Sequence, residues 1–307
     1  MIEIITTVES LEQANILLES GVDTLYFGEE MFGLRLAKSF SREEQRELVE
    51  LAHRANKKVN IAVNGIMHPD KMKKVPEYLA FLKEINVDMI TVGDPGIIYI
   101  MKKNENIRIP FIYDGETLVT NARQINFWHQ KGAQGAVLAR EVPFGEMKKL
   151  IAIVEVPVEI LVYGPTCIHQ SKRPLLNNYF NYTKQTDEVT RERGLFLSEP
   201  KKPETHYSIY EDSHGTHIFA NNDLNLINEV QELANYNFNT WKLDGLFTPE
   251  KEFNQIVQLF VRVKKAIQEG TWDEAQAREV DEQIQALHPE NRELDTGFYY
   301  IDPTAIK

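Results

Sequence analysis

The feature that most constrains this chain is an alternation. From Met1 to about Val162, short β-rich apolar runs alternate with longer stretches whose apolar residues recur at the helical period, which argues for repeated βα units. The strand candidates are IEIITT, DTLYFG, KVNIAVN, DMITVGD, PFIYDG, GAVLAR and VEILVYG. Between them, Ser10 with Gln13 and Ser41 with Glu44 have the spacing of capping boxes, and Pro95 in GDPG stands where a first helical turn tolerates proline. The stretch EEQRELVELAHRAN gathers Leu48, Leu51, Ala52 and Ala55 on one stripe, a face for packing on a sheet.

Right-handed crossovers of this length, with no glycine-rich phosphate loop, close naturally at eight strands. The expected fold is therefore α/β, a (β/α)8 TIM-type barrel. TWKLDGLF, from Thr240 to Phe247, supplies the eighth strand, followed by Thr248 as N-cap, Pro249 in the first turn and the stripe Phe253, Ile256, Val257, Phe260, Val261. Strands seven and eight are separated by nearly eighty residues, far more than an ordinary connection, and this excess is the long insertion 164–238. It holds a hairpin, HYSIYEDSHGTHIFA, turning at Ser213 to Gly215, and the helix DLNLINEVQELAN. The expected division is a barrel domain 1–270 including that insertion, then a C-terminal helix and tail 271–307, the helix opening on Thr271 and Glu274.

Composition bears on partners. The net charge is -12, from 34 basic and 46 acidic residues, so the global field repels nucleic acid. DNA is not an expected partner, and tRNA is one only indirectly. The basic run Lys71 to Lys74 and the pair Lys201 and Lys202 read as solvated faces. No apolar run approaches the roughly 18 residues of a membrane span, so no membrane partner is expected. MIEIITTVES has no signal-peptide pattern, and the single cysteine cannot form an internal disulfide; both point to the cytoplasm.

That cysteine, Cys167, lies in VYGPTCIHQSKRPLL. As a nucleophile it would need a depressed pKa or a base, and His169 two residues on, with Lys172 and Arg173 beyond, is the nearest candidate; the alternative is a small buried side chain. His214 and His217, with His206 upstream, fall short of a zinc ligand set, and one thiolate is far short of an iron-sulfur cluster, so no metal is expected in this chain. Polar residues at strand ends form a better constellation. These are Arg35 after strand two, Asn64 at three, Asp94 at four, Glu116 at five, Arg140 and Glu141 at six, Tyr163 at seven, and Lys242 and Asp244 at eight. Loops at the C-terminal ends of barrel strands carry the site in such folds. Arg35, Arg140 and Lys242 on one mouth would suit a carboxylate or phosphate, with Asn64, Glu116 and Asp244 to orient it.

These segments resemble the collagenase-like proteins of unassigned-type peptidase family 32. GVDTLYFGEEMFGLR is similar to that family's GADAVYFG...R opening, GAVLAREVPFGEM to its REls block, ANNDLNLI to NsxDLCLI, and WKLDGLF to lKIEGR. In the segment around Cys167, members with an iron-sulfur cluster carry further cysteines. The corresponding positions here are Pro174, the neighbourhood of Arg191, and Asn225, while the family's His is Tyr163 and its KIEGR acid and base become Asp244 and Leu246. The resemblance implies a subunit of a system that hydroxylates the wobble uridine of tRNA. A longer four-cysteine paralogue would bear the cluster, and this chain would offer a site for a prephenate-like dicarboxylate. It implies as alternatives a peptidase acting on collagen-like or other peptides, with Cys167, His169, Glu116 and Asp244 as the catalytic candidates, or a non-catalytic scaffold.

Overall fold

The computed structural model describes residues 1–114 and 120–305. Its strands in chain order are β1 Glu3–Thr7, β2 Thr24–Gly28, β3 Lys58–Val63, β4 Met89–Val92, β5 Phe111–Asp114, β6 Gly135–Val137 and β7 Val158–Gly164. The insertion contributes β8 Cys167–Ser171, β9 Phe196–Glu199, β10 Lys202–Asp212, β11 Gly215–Phe219 and β12 Asn222–Asn225, and β13 Thr240–Leu243 and β14 Glu293–Asp295 follow. Strands β1 to β7 pair in parallel, each with the next, and β13 pairs in parallel with both β7 and β1. The ring is thereby a closed eight-stranded barrel, with β13 as the eighth strand that TWKLDGLF predicts.

Helices Leu11–Ser20, Arg42–Arg54, Val75–Glu84, Pro95–Lys103, Ala122–Gln130, Phe144–Ile151 and Glu250–Glu269 run between or after the strands. Their starts are mostly those the sequence marks. Ser10 accepts from the Gln13 N–H, Ser41 and Glu44 cap each other reciprocally, and Pro95 occupies the first turn behind Asp94. The helix expected over DLNLINEVQELAN begins only at Val230, because Asn222–Asn225 pair as β12 with β7 and β14, and two other starts differ by a few residues. Pro249 rather than Thr248 stands at the cap of Glu250–Glu269, because the Thr248 hydroxyl is engaged 3.0 Å from the Tyr163 hydroxyl. The tail helix Glu274–Leu287 is capped by Asp273 and Gln276 while the Thr271 hydroxyl turns back to the Ala266 carbonyl.

The main core lies between barrel and helices. Leu17, Leu48, Leu79, Ile97 and Phe260 on the helices meet Ile4, Leu25, Ile61, Ile90 and Trp241 on the outward strand positions. Each such side chain, fully removed from water, contributes about 1.5–3 kcal/mol. The lumen holds little apolar matter: Ile5, Tyr26 and Ala62, with Leu36 against them, form its apolar cluster. Polar side chains occupy much of the rest, as the site below shows.

The insertion folds as an antiparallel sheet in the order β8-β11-β10-β9, its hairpin closing at Asp212↔Gly215 as the sequence suggests. Gly215 sits at φ +108°, and a Cβ there would collide with the Ser171 carbonyl oxygen, so the close approach of β11 to β8 needs glycine. The tail is built into the rest. β14 pairs in parallel with β12, which runs antiparallel against the end of β7. Buried Arg292 grips both carboxylate oxygens of buried Asp223 and also donates to Ser208 Oγ and the Ala220 carbonyl, over the face of Phe247. His288 Nδ1 lies 2.8 Å from the Tyr163 hydroxyl.

Burial, with the Arg292 charge adding to it, holds the His288 imidazole down at about 4. Between that value and its ordinary one near 6.5 the unfolded chain takes up a proton that the folded chain rejects, so this group makes stability rise with pH across the window. Asp223, pushed up by burial against the Arg292 pairing, works with opposite sign above its ordinary value. The comparison with His288→Asn isolates the histidine: in urea titrations from about pH 4 to 6.5, the variant should lose this part of the upward slope.

Candidate functional site

The C-terminal ends of the strands bring together most of the polar residues singled out in the sequence. Arg35, Asn64, Arg140, Lys242 and Asp244, with Tyr26, line one cleft at the barrel mouth, closed over by Leu34, Pro165, Phe219 and Leu246. Its free space is about 10 Å³, room for about one water. Larger cavities lie elsewhere, among them one of about 470 Å³ beside His288, Glu290 and Arg292 of the tail and two of about 350 Å³. Of the latter two, one opens at the N-terminal face beside Glu3, Lys58, Asp88 and Glu159, and one lies beside the mouth between Arg35, Lys38, Arg191 and Asp212. The small cleft is the better candidate despite its size, since polar groups from five separate strand ends and loops converge there and the N-terminal face of such barrels serves stability.

Each side chain is placed by a specific local device. Lys242, an inward position of β13, is almost wholly buried; its Nζ lies 3.7 Å above the Tyr26 ring centroid and 3.7 Å from Glu159 Oε1. The pair sits in the lumen, so the ammonium is compensated by a carboxylate on one side and an aromatic face on the other. Arg35 has φ +50°, a left-handed conformation uncommon for a residue with a Cβ, and its Nη1 donates to Gln170 Oε1 of β8 at 2.9 Å. The loop carrying it is pinned by Leu34, whose N–H donates to Asn64 Oδ1 at 2.8 Å, while Asn64 Nδ2 donates to Asp114 Oδ2 at 2.7 Å. Arg140 Nη1 donates to the Pro165 carbonyl oxygen, tying the end of β6 to the first residues of the insertion. Asp244 accepts from the Leu246 N–H at 3.1 Å, and its own N–H donates to the Tyr163 carbonyl. Gly164 makes that approach feasible: at φ +125°, a Cβ there would stand 2.3 Å from the Asp244 carbonyl oxygen.

Other candidates lie apart from the cleft. Asp94 spends both carboxylate oxygens on backbone, on the Gly96 N–H as helix cap and on the Met67 N–H. Tyr163 points outward into the packing between barrel and tail, bonded to Thr248 and His288, and burial pushes its hydroxyl pKa up. Glu141 is exposed on the rim. Glu116 lies outside the described residues. Cys167 and His169 do not pair through their side chains, because β8 directs His169 to solvent; the thiol donates to the His169 carbonyl at 3.4 Å. The histidine on the strand paired with that of Cys167 is His217 of β11. Its Nε2 lies 2.9 Å from Asp212 Oδ1, and its buried Nδ1 has no partner that meets hydrogen-bond geometry. Burial would lower the ring's pKa, but the hydrogen bond to Asp212, with the Cys167 sulfur adding to it, outweighs burial and the net direction is up; Asp212 is lowered in turn.

The residues missed in the sequence are Tyr26, Glu159 and Asp114. Strand alternation carries the signal that could have found two of them, since Tyr26 and Glu159 occupy positions facing the lumen, where an apolar side chain is the usual filling. Chemically, the cleft offers two guanidiniums and an ammonium with the Asp244 carboxylate among them, behind a cover of Phe219, Leu246 and Pro165. That arrangement can hold a small anionic group bidentately and shield it from water.

The model of Peptidase family U32 matches residues 9–307. The chain is 36% identical over 303 residues to tRNA hydroxylation protein P2 of Bacillus subtilis, with 97% of each chain covered. It is 24% identical to tRNA hydroxylation protein P1 of the same organism, covering 79% of this chain and 58% of that longer one. Among solved structures, the U32 peptidase Mk0906 superposes with a TM-score of 0.50 at 14% identity, over 80% of this chain and 92% of that one, a likeness of fold.

The Lys242–Glu159 pair gives a stability test. Glu159→Leu removes a carboxylate 3.7 Å from the buried ammonium and should destabilise the fold by about 3 kcal/mol, and adding Lys242→Met should recover most of the loss. Urea unfolding of the two single variants and the double variant measures the coupling.

Proposed function

Because this chain belongs to Peptidase family U32, we propose that it is a subunit of a tRNA hydroxylation system rather than a self-sufficient hydrolase. The observation that carries the reading is the match to tRNA hydroxylation protein P2 over 97% of each chain. The reading assigns the mouth to an anionic small molecule, such as a dicarboxylate of the prephenate type. Arg35 and Arg140 take its carboxylates, Lys242 supplies a fixed charge from below, and Asn64 and Asp244 orient polar substituents. Every one of these side chains is already bonded to a neighbour and the free space is that of about one water, so a dicarboxylate enters once the covering residues of the insertion move aside.

An iron-sulfur cluster, if the system uses one, falls to a partner, because the donor set of this chain does not fit it. Where the resemblance places family cysteines, Pro174 stands at the start of the helix Leu175–Thr183, Arg191, near the third position, donates to the Leu36 carbonyl, and Asn225 is held by Asp281 and by the Ile227 N–H. These side chains do structural work, and proline, arginine and asparagine are not thiolate donors. The similarity to both P1 and P2 of one organism supports a longer paralogue as that partner. Cytoplasmic residence goes with this reading, and no described helix is long and apolar enough to cross a membrane.

One observation favours a second reading, a thiol peptidase: His217, bonded to Asp212 at 2.9 Å, lies on β11, the strand that pairs with the Cys167 strand β8. Gelatin cleavage by the purified protein that disappears in Cys167→Ala would establish it.

The leading reading predicts that deleting the gene removes or strongly reduces 5-hydroxyuridine-derived nucleosides in tRNA, measured by mass spectrometry. Unchanged nucleosides would reject it. Complementation with Arg140→Met should restore less than a tenth of the modification, since loss of one charge-assisted bidentate contact is worth about 1.5–3 kcal/mol.

A further inference from the structure

Two basic segments far apart in the chain meet at one turn of the insertion. Lys71 Nζ lies 3.2 Å from the Ser213 carbonyl oxygen and 3.1 Å from its Oγ, and Lys172 Nζ lies 2.6 Å from the same carbonyl oxygen. Two ammonium groups thus converge on one neutral acceptor, and burial followed by the Lys172 charge lowers the Lys71 pKa. The acids acting on Lys71 are Asp212, Glu30 and Asp70; Asp212 is held by His217 and the His214 N–H, and Glu30 accepts from the Ser213 N–H. A like-charge pair on a single carbonyl is an arrangement that an incoming anion relieves.

The same edge carries an exposed aromatic stripe. From Cys167 to Lys184 the sequence has no acidic residue and includes Lys172, Arg173 and Lys184. Helix Leu175–Thr183 buries Leu176 and turns Leu175, Asn178, Tyr179 and Tyr182 outward, with Tyr179 58% and Tyr182 87% exposed. The spacing i, i+3, i+4, i+7 is the one a surface helix normally directs at its own core. Here the helix cannot roll over, because the Glu211 carboxylate beneath it takes the Leu176 N–H and the Asn177 side chain. The outward stripe is therefore a fixed feature of the surface.

We propose that this face, helix Leu175–Thr183 with Lys71, Lys172, Arg173 and Lys184, docks a single-stranded RNA loop, the two tyrosines stacking on bases and the cations holding phosphates. The inference rests on the tRNA reading above and gives it a contact surface. β8, which leads into this helix, begins just past Gly164 at the barrel mouth and bonds Arg35 through Gln170, so a loop seated here lies beside the cleft. The charge of -12 on the whole molecule does not cancel the patch, because at physiological salt charges are screened beyond about 8 Å. An RNA fits better than a protein partner, since the tyrosines stand among asparagines and cations with no acid in the segment, whereas the core of a protein interface is depleted of charge.

The test is anisotropy titration of a labelled, unmodified anticodon-type hairpin RNA with the full-length protein, between about 50 and 200 mM salt. Wild type should bind more weakly as salt rises. Lys172→Glu with Arg173→Glu should lower affinity at least tenfold and flatten the log-log salt slope by about 1.4, two contacts at about 0.7 each. Tyr179→Ser with Tyr182→Ser should weaken binding roughly tenfold or more and leave the slope unchanged. Lys102→Glu with Lys103→Glu, at the far end of helix Pro95–Lys103, is the charge control and should bind like wild type; equal melting temperatures confirm that all variants fold. Failure of wild type to bind RNA, or wild-type binding by both the basic and the tyrosine variants, overturns the proposal. So does loss of a co-purifying protein, with RNA binding intact, in the tyrosine variant. If gene deletion leaves tRNA nucleosides unchanged while the variants still lose RNA, the functional reading fails and the surface stands. The converse pattern separates the two the other way.

Discussion

Ring closure through β13 is the constraint on which everything else in this fold depends. A four-residue strand, Thr240–Leu243, must reach across from the far side of the insertion and hydrogen-bond to β7 and β1 at once. Without that double pairing the sheet would have two open edges and no lumen. With it, the inward positions of neighbouring strands face one another, and Lys242, Tyr26 and Glu159 come into contact although they stand far apart in sequence. The cost of enclosing a charge is met by that pairing, so the same closure that stabilises the fold also fixes the floor of the candidate site.

The insertion acts as the roof. Its first residues accept from Arg140, its first strand holds Arg35, and Phe219 from its hairpin covers the cleft. The C-terminal tail locks it from the other side through Arg292, whose guanidinium spans Asp223 of β12, Ser208 of β10 and the Ala220 carbonyl. Barrel, insertion and tail therefore share buried polar contacts, and a ligand entering the mouth must displace side chains that are already bonded. The small free volume of the cleft follows from this arrangement. Opening the site means moving the roof, which is held by a small apolar cluster of Tyr210, Phe219 and Leu246 with Phe247, separate from the main core, and by the side-chain hydrogen bonds above.

Within the insertion, polar side chains serve as ties: Arg191 bonds the Leu36 carbonyl and Asn225 bonds Asp281, joining strand ends and loops. Cys167 lies on the strand paired with that of His217, which is bonded to Asp212. The outer face of the insertion holds Tyr179 and Tyr182 outward above Glu211.

The barrel was legible in the sequence because its signals are local. Strand runs and helix stripes each occupy a handful of consecutive residues, and caps such as Ser41 with Glu44 form within one turn. The rim candidates Arg35, Asn64, Arg140, Lys242 and Asp244 followed from the fold rule that sites sit at strand C-termini, and they do share one cleft. What was not legible depends on direction and on distant partners. Whether Tyr163 faces the mouth or the tail, whether Asp94 is a ligand or a helix cap, and whether Cys167 meets His169 or His217 are decided by strand pairing and packing between segments far apart in the chain. The meeting of Lys71 with Lys172 belongs to the same class. Sequence by itself determined which elements form, because hydrogen bonding and burial within an element are set by near neighbours. Only the tertiary structure decided which side chains share a volume, because that is fixed by barrel closure and the fold of the insertion, which no local pattern encodes.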